Sequence, residues 1–223
     1  MVMSIWERVR DVVARRGPMS LLGSAGDPRD SVTFTIAVIA LAAKLSKADG
    51  RVTRNEVRAF REVFRIEPEQ EATVGRVYNM FRRSPHGYES YARQVTRLFG
   101  RNDMVLKDLL DGLFFISMAD GHHHPCEHRY LRRVALIFGV NEACFRQLTA
   151  RYVPDAWDPW KVIGVGHDAS EEQIREKFRN EVREAHPDRL IARGMPQEMI
   201  ELGTRRIADL NRAMAELRAR QPA

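Results

Sequence analysis

The chain has 223 residues, of which 44% are hydrophobic and 30% are charged. This composition fits one or two soluble domains and excludes a disordered chain, which cannot bury enough apolar surface to offset its ordering entropy. The longest strongly apolar stretch without a charge, Ser31 to Ala43, has 13 residues, whereas a membrane-spanning helix needs about 18. The opening residues do not form a secretory leader pattern, and two cysteines are too few for a disulfide framework. We therefore expect a cytoplasmic protein.

The net charge of +6 belongs to the first part of the chain. Residues 1–153 carry 24 Lys and Arg against 17 Asp and Glu, whereas residues 154–223 carry 12 against 13. A basic surface attracts nucleic acid, anionic lipid or acidic proteins. No sequence signature of nucleic-acid recognition accompanies the charge, so we expect no nucleic-acid partner.

Apolar periodicity and Gly or Pro punctuation predict an all-α chain without the alternating pattern of a sheet. An amphipathic helix is predicted at Ser4–Arg16, followed by a linker at Gly23–Asp30. A helix that is apolar on most sides follows at Ser31–Lys47. Further helices are predicted at Thr53–Phe64, Pro68–Arg82, Tyr88–Phe99, Met104–Ala119, Pro125–Phe138 and Asn141–Arg151.

The segment Val153–Pro159 interrupts this helical pattern and predicts a domain boundary. The predicted parts are an N-terminal helix and linker at 1–30, a helical domain at 31–153 and a smaller domain at 154–223. The first helix combines a tryptophan with basic residues, which is typical of helices that lie on a membrane surface. Peripheral contact with the cytoplasmic face of the inner membrane is therefore the alternative to simple packing of this helix on the core.

Two helix pairs of the first domain resemble each other at an offset of 71 residues. Lys47-Ala48-Asp49-Gly50, followed by Glu56, corresponds to Met118-Ala119-Asp120-Gly121, followed by Glu127. In the structural interpretation, Asp-Gly makes the turn between two helices and the glutamate stabilises the start of the second helix. In the alternative interpretation, the repeated carboxylates are ligands of a divalent cation: Asp49, Glu56, Asp120 and Glu127. Each copy offers only two carboxylates, so the spacing does not decide between the two.

The segment His122–His128 contains four histidines and one cysteine. Imidazole and thiolate suit zinc, but a structural zinc site needs four converging ligands, usually from two separated pairs. Here Pro125 restricts how neighbouring side chains converge. We interpret the segment as an exposed histidine-rich loop and the remaining Cys144 as a small core residue.

Through Lys47–Thr53 and its echo at Met118–Gly121, the region from about Ser31 to Tyr152 resembles the tellurite-resistance TerB family of all-helical domains. The resemblance implies a fold of pseudo-repeated helix pairs that serves as an interaction module with a suspected link to metals. The histidine-rich second loop departs from the more acidic loop that the family implies.

The residues after the boundary predict two long helices joined by a polar tip. Ser170 and an acidic first turn open a helix whose apolar face carries Ile174, Phe178, Val182 and Ala185. Pro187 ends this helix, because a proline biases the preceding residue away from helical angles. The second helix carries a matching apolar stripe at Ile207, Leu210, Met214 and Leu217. The two stripes predict an antiparallel hairpin.

This arrangement resembles the J domain of the DnaJ family. Asp158–Val165 is similar to the opening helix and turn of that domain, Ala169–Ala185 to its helix II, and His186-Pro187-Asp188 to its signature tripeptide. Leu190–Pro196 is similar to the loop into helix III of DjlA-type co-chaperones, which join a TerB-like domain to a J domain in this order. The chain is identified as a member of that group.

J domains dock on DnaK-type chaperones and stimulate ATP hydrolysis there without supplying a catalytic residue. The resemblance therefore implies a co-chaperone that is not an enzyme and requires no cofactor. The residues implied to contact the chaperone are His186, Pro187, Asp188, Arg175, Phe178, Arg179 and Arg189. Glutamates interrupt the basic helix II, at Glu176, Glu181 and Glu184, which implies a weaker or partner-specific interaction.

The TerB-like domain is implied to localise the protein or to select an adaptor or protein clients, as a monomer or a homodimer. The alternative function is a metal-responsive stress or tellurite-resistance adaptor whose J domain is weak or silent.

Overall fold

The computed structural model describes residues 32–48, 54–63, 68–101, 103–122, 124–192 and 197–220. Within these ranges the chain is helical and contains no strand, which confirms the all-α prediction. The predicted helix at Ser4–Arg16 and the linker at Gly23–Asp30 lie outside the described residues. The helices are α1 (Val32–Leu45), α2 (Arg54–Val63), α3 (Pro68–Phe81), α4 (Tyr88–Phe99), α5 (Met104–Ser117), α6 (Pro125–Phe138), α7 (Glu142–Tyr152), α8 (Pro159–Ile163), α9 (Glu171–Ala185), α10 (Pro187–Ala192) and α11 (Gln197–Arg220).

The bounds of α1 to α7 agree with the predicted helices to within two residues at each end. Local capping contributes to this agreement at α5 to α7, because unsatisfied amides at a helix start need side-chain acceptors. The Asp103 side chain accepts a hydrogen bond from the Val105 amide at the start of α5, and Asn141 accepts one from Cys144 at the start of α7. Gly139, with φ of 77°, ends α6 in the left-handed conformation that glycine adopts readily. None of the described helices is long and apolar enough to span a bilayer.

The chain divides into two compact units after Gly139. In the first unit, α1 packs against α3, α4, α5 and α6, and its residues from Ile36 to Leu45 are buried. A helix that is apolar on most sides requires such a central position, because each fully buried Leu or Ile contributes about 1.5–3 kcal/mol.

Three polar side chains are satisfied in or beside this core. The Tyr78 hydroxyl donates a hydrogen bond to the Ser46 hydroxyl (2.9 Å), and the Tyr130 hydroxyl donates one to the Leu41 carbonyl (2.8 Å). The ammonium group of Lys44, at the end of α1, donates hydrogen bonds to carbonyls of the loop between α3 and α4. Burial lowers the pKa of Lys44, yet the two carbonyl oxygens stabilise its charged form.

The second unit, described from Val140 to Arg220, contains α7 to α11. Its core joins Ala150 of α7 and Ile174 of α9 to apolar residues of α8 and α11: Val162, Ile163, Leu210, Ala213, Met214 and Leu217. The Gln147 amide of α7 donates hydrogen bonds to the carbonyls of Val162 (3.0 Å) and Ile163 (3.3 Å), at the end of α8. By these contacts α7 belongs with the C-terminal helices, although the sequence analysis groups it with the first domain. The predicted domain limits, which rest on the break in the helical pattern at Val153–Pro159, stay predictions.

Helices α9 and α11 run in opposite directions. The end of α9 at Ala185 lies against Gly203, near the start of α11, and Glu181 pairs with Arg206 one turn further along. Near the start of α9, Ile174 belongs to the cluster that also contains Leu217, near the end of α11.

The buried carboxylate of Glu181 connects these two helices. It accepts a hydrogen bond from Arg206 of α11, and it pairs with the Lys177 ammonium (2.7 Å) one turn earlier in α9. Burial alone would raise the pKa of Glu181, but the charges and hydrogen bonds of Arg206 and Lys177 outweigh it and lower that pKa below its ordinary value. The charged form of Glu181 therefore joins α9 to α11 through its ion pair with Arg206.

We expect Glu181→Gln to lower the free energy of unfolding by about 3 kcal/mol at pH 7, because it leaves the largely buried Arg206 without its carboxylate. A carboxyl group with a lowered folded-state pKa contributes stability above its ordinary pKa, and this contribution is lost as the pH falls through the folded-state pKa. Urea unfolding at a series of pH values below 7 checks both points, since the variant loses this part of the acid dependence. The control is Glu171→Gln, which removes an exposed carboxylate paired with Arg175 and changes stability by less than about 1 kcal/mol. Equal effects of the two substitutions would contradict the role of Glu181.

Candidate functional site

His186, Pro187 and Asp188 lie at the junction of α9 and α10. The backbone of His186 leaves the helical conformation after α9, with φ of −64° and ψ of 134°. Its carbonyl accepts hydrogen bonds from the amides of Arg189 (3.0 Å) and Leu190 (3.1 Å), which start α10. Pro187 suits the first position of a helix, where an N–H has no partner within the helix. The tripeptide therefore forms a sharp corner between two helices.

The side chain of His186 also caps α10. Its Nδ1 accepts a hydrogen bond from the Asp188 amide (3.2 Å), so in the neutral ring the proton lies on Nε2. The His186 side chain is 52% exposed and that of Asp188 is 86% exposed, with Nδ1 lying 3.6 Å from the Asp188 Oδ2. The corner thus presents an imidazole N–H donor and a carboxylate acceptor to solvent from one rigid turn.

The expectation of a loop at Leu190–Pro196 is wrong for its first part. Residues through Ala192 continue α10, and residues 193–196 lie outside the described part of the chain. The cap by His186 and the proline at the first position start a helix here, and the buried Leu190 holds it in place.

The predicted arginines lie on exposed surfaces, and two of them are paired with glutamates. Arg175 pairs with Glu171 one turn earlier in α9, and Arg189 pairs with Glu184 (2.9 Å). Arg179 is exposed and forms no ion pair with a described residue. Exposed pairs of this kind contribute little to stability, so a charged partner can replace the glutamates at low cost.

Arg183 of α9 was not among the predicted contact residues, but its spacing from Arg175 and Arg179 places it with them. Arg175, Arg179 and Arg183 follow each other at intervals of four and form one exposed stripe that leads toward the corner. The stripe ends within one turn of His186, whereas Arg175 is about 16 Å from it along the helix. Phe178 is partly buried and packs against the core of the unit, so most of its ring is a structural contact.

Ile191 is a second residue that the sequence prediction missed. Among the described residues, Ile191 and Leu136 are the large hydrophobic residues with high exposure, at 58% each. Ile191 follows Pro187 by four residues in α10, and the two side chains therefore share a face of that helix. No pattern in the sequence identifies Ile191, because the exposed face is defined only once the segment is known to be helical.

Gly203 of α11 controls how closely that helix approaches the corner. A Cβ atom at this position would lie 2.6 Å from the Ala185 carbonyl oxygen and would also overlap the Leu190 side chain. Both atoms belong to the segment that carries the tripeptide. The absence of a side chain at Gly203 therefore fixes the position of the corner on the unit.

Two of the four candidate cation ligands, Asp120 and Glu127, have side chains in the described part of the chain. Asp49 and the side chain of Glu56 lie outside the described residues. The Asp120 carboxylate accepts a hydrogen bond from the His122 amide (3.0 Å), and Glu127 is buried in the first turn of α6. Within the described residues, no group of three or more His, Cys, Asp or Glu side chains is arranged to hold a metal ion. Cation binding by these carboxylates stays a prediction.

The histidine-rich segment is exposed as predicted at His122 and His124. His122 is 88% exposed, and the Nδ1 of His124 accepts the Cys126 amide (3.2 Å), which caps α6. The prediction that Cys144 is a core residue is wrong, because Cys144 is only partly buried. It lies in the first turn of α7, where the Asn141 side chain caps its amide.

Comparisons with known proteins match both parts of the chain. Residues 35–150 match the family described as tellurite resistance protein TerB. Several curated relatives are described as co-chaperone protein DjlA. The relative from Photobacterium profundum is 26% identical over 96% of this chain and 87% of its own length. Those from Aliivibrio fischeri and Coxiella burnetii are 23% and 24% identical, over 86% and 78% of this chain and 80% and 72% of their own lengths. No solved structure matches the chain significantly.

The likeness to the Photobacterium relative reaches the C-terminal unit. Because it covers 96% of this chain, the few residues left out at its ends do not extend to His186–Asp188. The similarity therefore includes the corner as well as the TerB region.

We expect Gly203→Ala to displace the corner and to lower the free energy of unfolding by about 1–3 kcal/mol, because the added methyl group overlaps backbone that cannot rotate away. Thermal unfolding and the backbone amide NMR shifts of His186 to Leu190 measure the two effects. The control is Gly166→Ala, whose methyl group would meet only the exposed and movable side chain of Asp168. Unchanged stability and unchanged amide shifts in Gly203→Ala would show that Gly203 does not position the corner.

Proposed function

The chain belongs to the TerB family and is of the DjlA type within the DnaJ family, and from this premise we propose that it is a co-chaperone that binds a DnaK-type chaperone and stimulates its ATP hydrolysis. The observation that carries the proposal is the exposed corner at His186-Pro187-Asp188, which one rigid turn presents to solvent. The hydrolytic groups belong to the partner, and this chain acts by binding.

The corner suits recognition of a polar surface. The Nε2–H of His186 donates, the Asp188 carboxylate accepts, and Pro187 keeps the two at a fixed separation. Groups held in place before binding lose little conformational entropy on association, which favours affinity from a small contact. The effect on hydrolysis is limited by the difference in affinity for the two conformational states of the chaperone.

The arginine stripe on α9 supplies electrostatic attraction to an acidic partner surface. Arg175, Arg179 and Arg183 are exposed and lie in a row that ends near His186. Complementary charges of this kind raise association rates and set the orientation of an encounter more than they raise final affinity. We infer that the stripe guides the corner onto the chaperone.

The glutamates of α9 weaken this stripe less than their number suggests. Glu181 points its charge into the contact with Arg206 and Lys177, where it is buried. Glu184 is paired with Arg189. Among the three interrupting glutamates, only Glu176 is fully exposed on the helix surface.

The TerB region serves in this proposal as the module that localises the protein or selects clients and adaptors. The alternative function, a metal-responsive stress or tellurite-resistance adaptor with a silent J domain, is not favoured. The relatives that cover most of the chain are described as co-chaperones.

We expect His186→Gln to abolish the stimulation of ATP hydrolysis by the DnaK-type chaperone of the same organism, because the flexible glutamine side chain lacks the imidazole ring that the Asp188 amide orients through Nδ1 and so does not hold its donor at the position of Nε2. Single-turnover hydrolysis of ATP bound to the chaperone measures the effect. The matched control is His122→Gln, which changes a more exposed histidine of the first unit and leaves stimulation intact. Stimulation that survives His186→Gln would refute the role of this residue, and absence of stimulation by the unaltered chain would refute the proposed function.

We further expect Ile191→Ser to weaken chaperone binding by about tenfold, because burial of an isoleucine contributes about 1.5–3 kcal/mol. Stimulation at saturating concentration is preserved, since His186 and Asp188 are unchanged. A titration of the hydrolysis rate against co-chaperone concentration separates the two quantities. Leu136→Ser is the matched control, because Leu136 has the same exposure of 58% and lies in the first unit. Equal half-saturation concentrations for both variants would exclude Ile191 from the contact.

A further inference from the structure

A cluster of cationic side chains in the first unit lines a cavity that the proposed function does not use. The described residues around this open cavity of about 590 Å³ are Lys47, Asn79, Arg82 and Arg83. Lys47 follows the end of α1, Asn79 lies in the last turn of α3, and the two arginines follow α3 directly. Cavities of roughly 300–1,000 Å³ are typical of small-molecule sites.

The arginine side chains of this cavity are not needed as hydrogen-bond donors to the backbone carbonyls of the loop that follows α3. That structural task belongs to Lys44, whose ammonium group is buried and donates hydrogen bonds to the carbonyls of Ser84 (2.9 Å) and His86 (2.8 Å). The guanidinium groups of Arg82 and Arg83 form no hydrogen bond or ion pair with a described residue. Their ten guanidinium N–H donors therefore have no acceptor among the described residues.

Arg82 and Arg83 are adjacent cations without an ion pair among the described residues, so an anion that binds both of them offsets their mutual repulsion. Arginine forks match the oxygen atoms of phosphate in a bidentate geometry, and a phosphomonoester carries close to two negative charges at neutral pH. Lys47 adds a third positive charge, and the Asn79 amide adds a further donor. The excess of Lys and Arg over Asp and Glu in residues 1–153 attracts anions to this part of the chain.

We propose that the cavity lined by Lys47, Asn79, Arg82 and Arg83 binds a phosphate group, carried either by a soluble small molecule or by a lipid headgroup. The site shares no residue with the corner at His186, which belongs to the other unit, so the proposal does not depend on the proposed co-chaperone function. Occupancy by a soluble phosphate compound would make it a ligand sensor, and occupancy by a headgroup would place the TerB region on a membrane surface.

The test uses the full chain and two probes. Isothermal titration calorimetry with inorganic pyrophosphate measures binding of a soluble phosphate compound. Co-sedimentation with phosphatidylglycerol–phosphatidylcholine vesicles, compared with pure phosphatidylcholine vesicles, measures binding of an anionic lipid headgroup. The variant is Arg82→Gln with Arg83→Gln, which removes the two guanidinium groups. The matched control is Arg93→Gln with Arg97→Gln, which removes the same charge from exposed positions of α4 in the same unit. Asn79→Asp is a second variant that places a negative charge in the cavity.

We expect at least one probe to bind the unaltered chain and the double variant at Arg82 and Arg83 to weaken that binding by at least about tenfold, because charge-assisted hydrogen bonds are lost. Asn79→Asp lowers the affinity for the same probe, whereas the control substitutions at Arg93 and Arg97 change that affinity by less than about a factor of two. Binding of pyrophosphate identifies a soluble ligand, and binding to anionic vesicles alone identifies a headgroup. The proposal is overturned if neither probe binds, or if the control pair loses as much affinity as the cavity variant.

Discussion

The close approach of α11 to the end of α9 is the constraint on which the functional corner depends. Gly203 lets the α11 backbone lie against the Ala185 carbonyl and the Leu190 side chain, and the Glu181–Arg206 pair fixes the same contact one turn away. Packed interiors tolerate little added volume. These contacts therefore determine where the short helix α10 lies on the unit. The three residues at its start are thereby held rigid while their polar groups stay in solvent, and a binding corner needs both conditions.

The residues that hold the corner in place are also the ones that it exposes to solvent. The Nδ1 of His186 is used inside the chain as the cap of α10, which orients the ring and leaves Nε2 for a partner. Pro187 removes an N–H that would have had no acceptor. The stability of the unit comes from other residues, namely the apolar cluster of α8, α9 and α11 together with Ala150 of α7. This separation allows polar substitutions at the corner to change binding while the fold is preserved.

The sequence predicts the helices well because their signals are local. Periodicity, the Asn141 cap and the glycine after α6 each act over a few residues, and the helix bounds follow from them. The residues missed, Ile191 and Gly203, depend on contacts between segments. The outward position of Ile191 requires α10 to be helical, and the need for glycine at position 203 arises from a carbonyl 18 residues earlier in the chain. The inward direction of the Glu181 charge likewise depends on Arg206, which no spacing rule connects to it. The cavity at Arg82 and Arg83 also brings together the ends of two helices that are far apart in sequence.

The most direct test of this account is imidazole NMR of the full chain with its ring nitrogens labelled, recorded alone and with the ATP-bound DnaK-type chaperone. In the neutral His186 ring of the free protein, we expect the proton on Nε2 and none on Nδ1, because Nδ1 accepts a hydrogen bond from the Asp188 amide. On addition of the chaperone, its Nε2 signal shifts or broadens while that of His122 does not change. A neutral His186 ring with its proton on Nδ1 in the free protein, or a His186 signal that the ATP-bound chaperone leaves unchanged, would contradict the account.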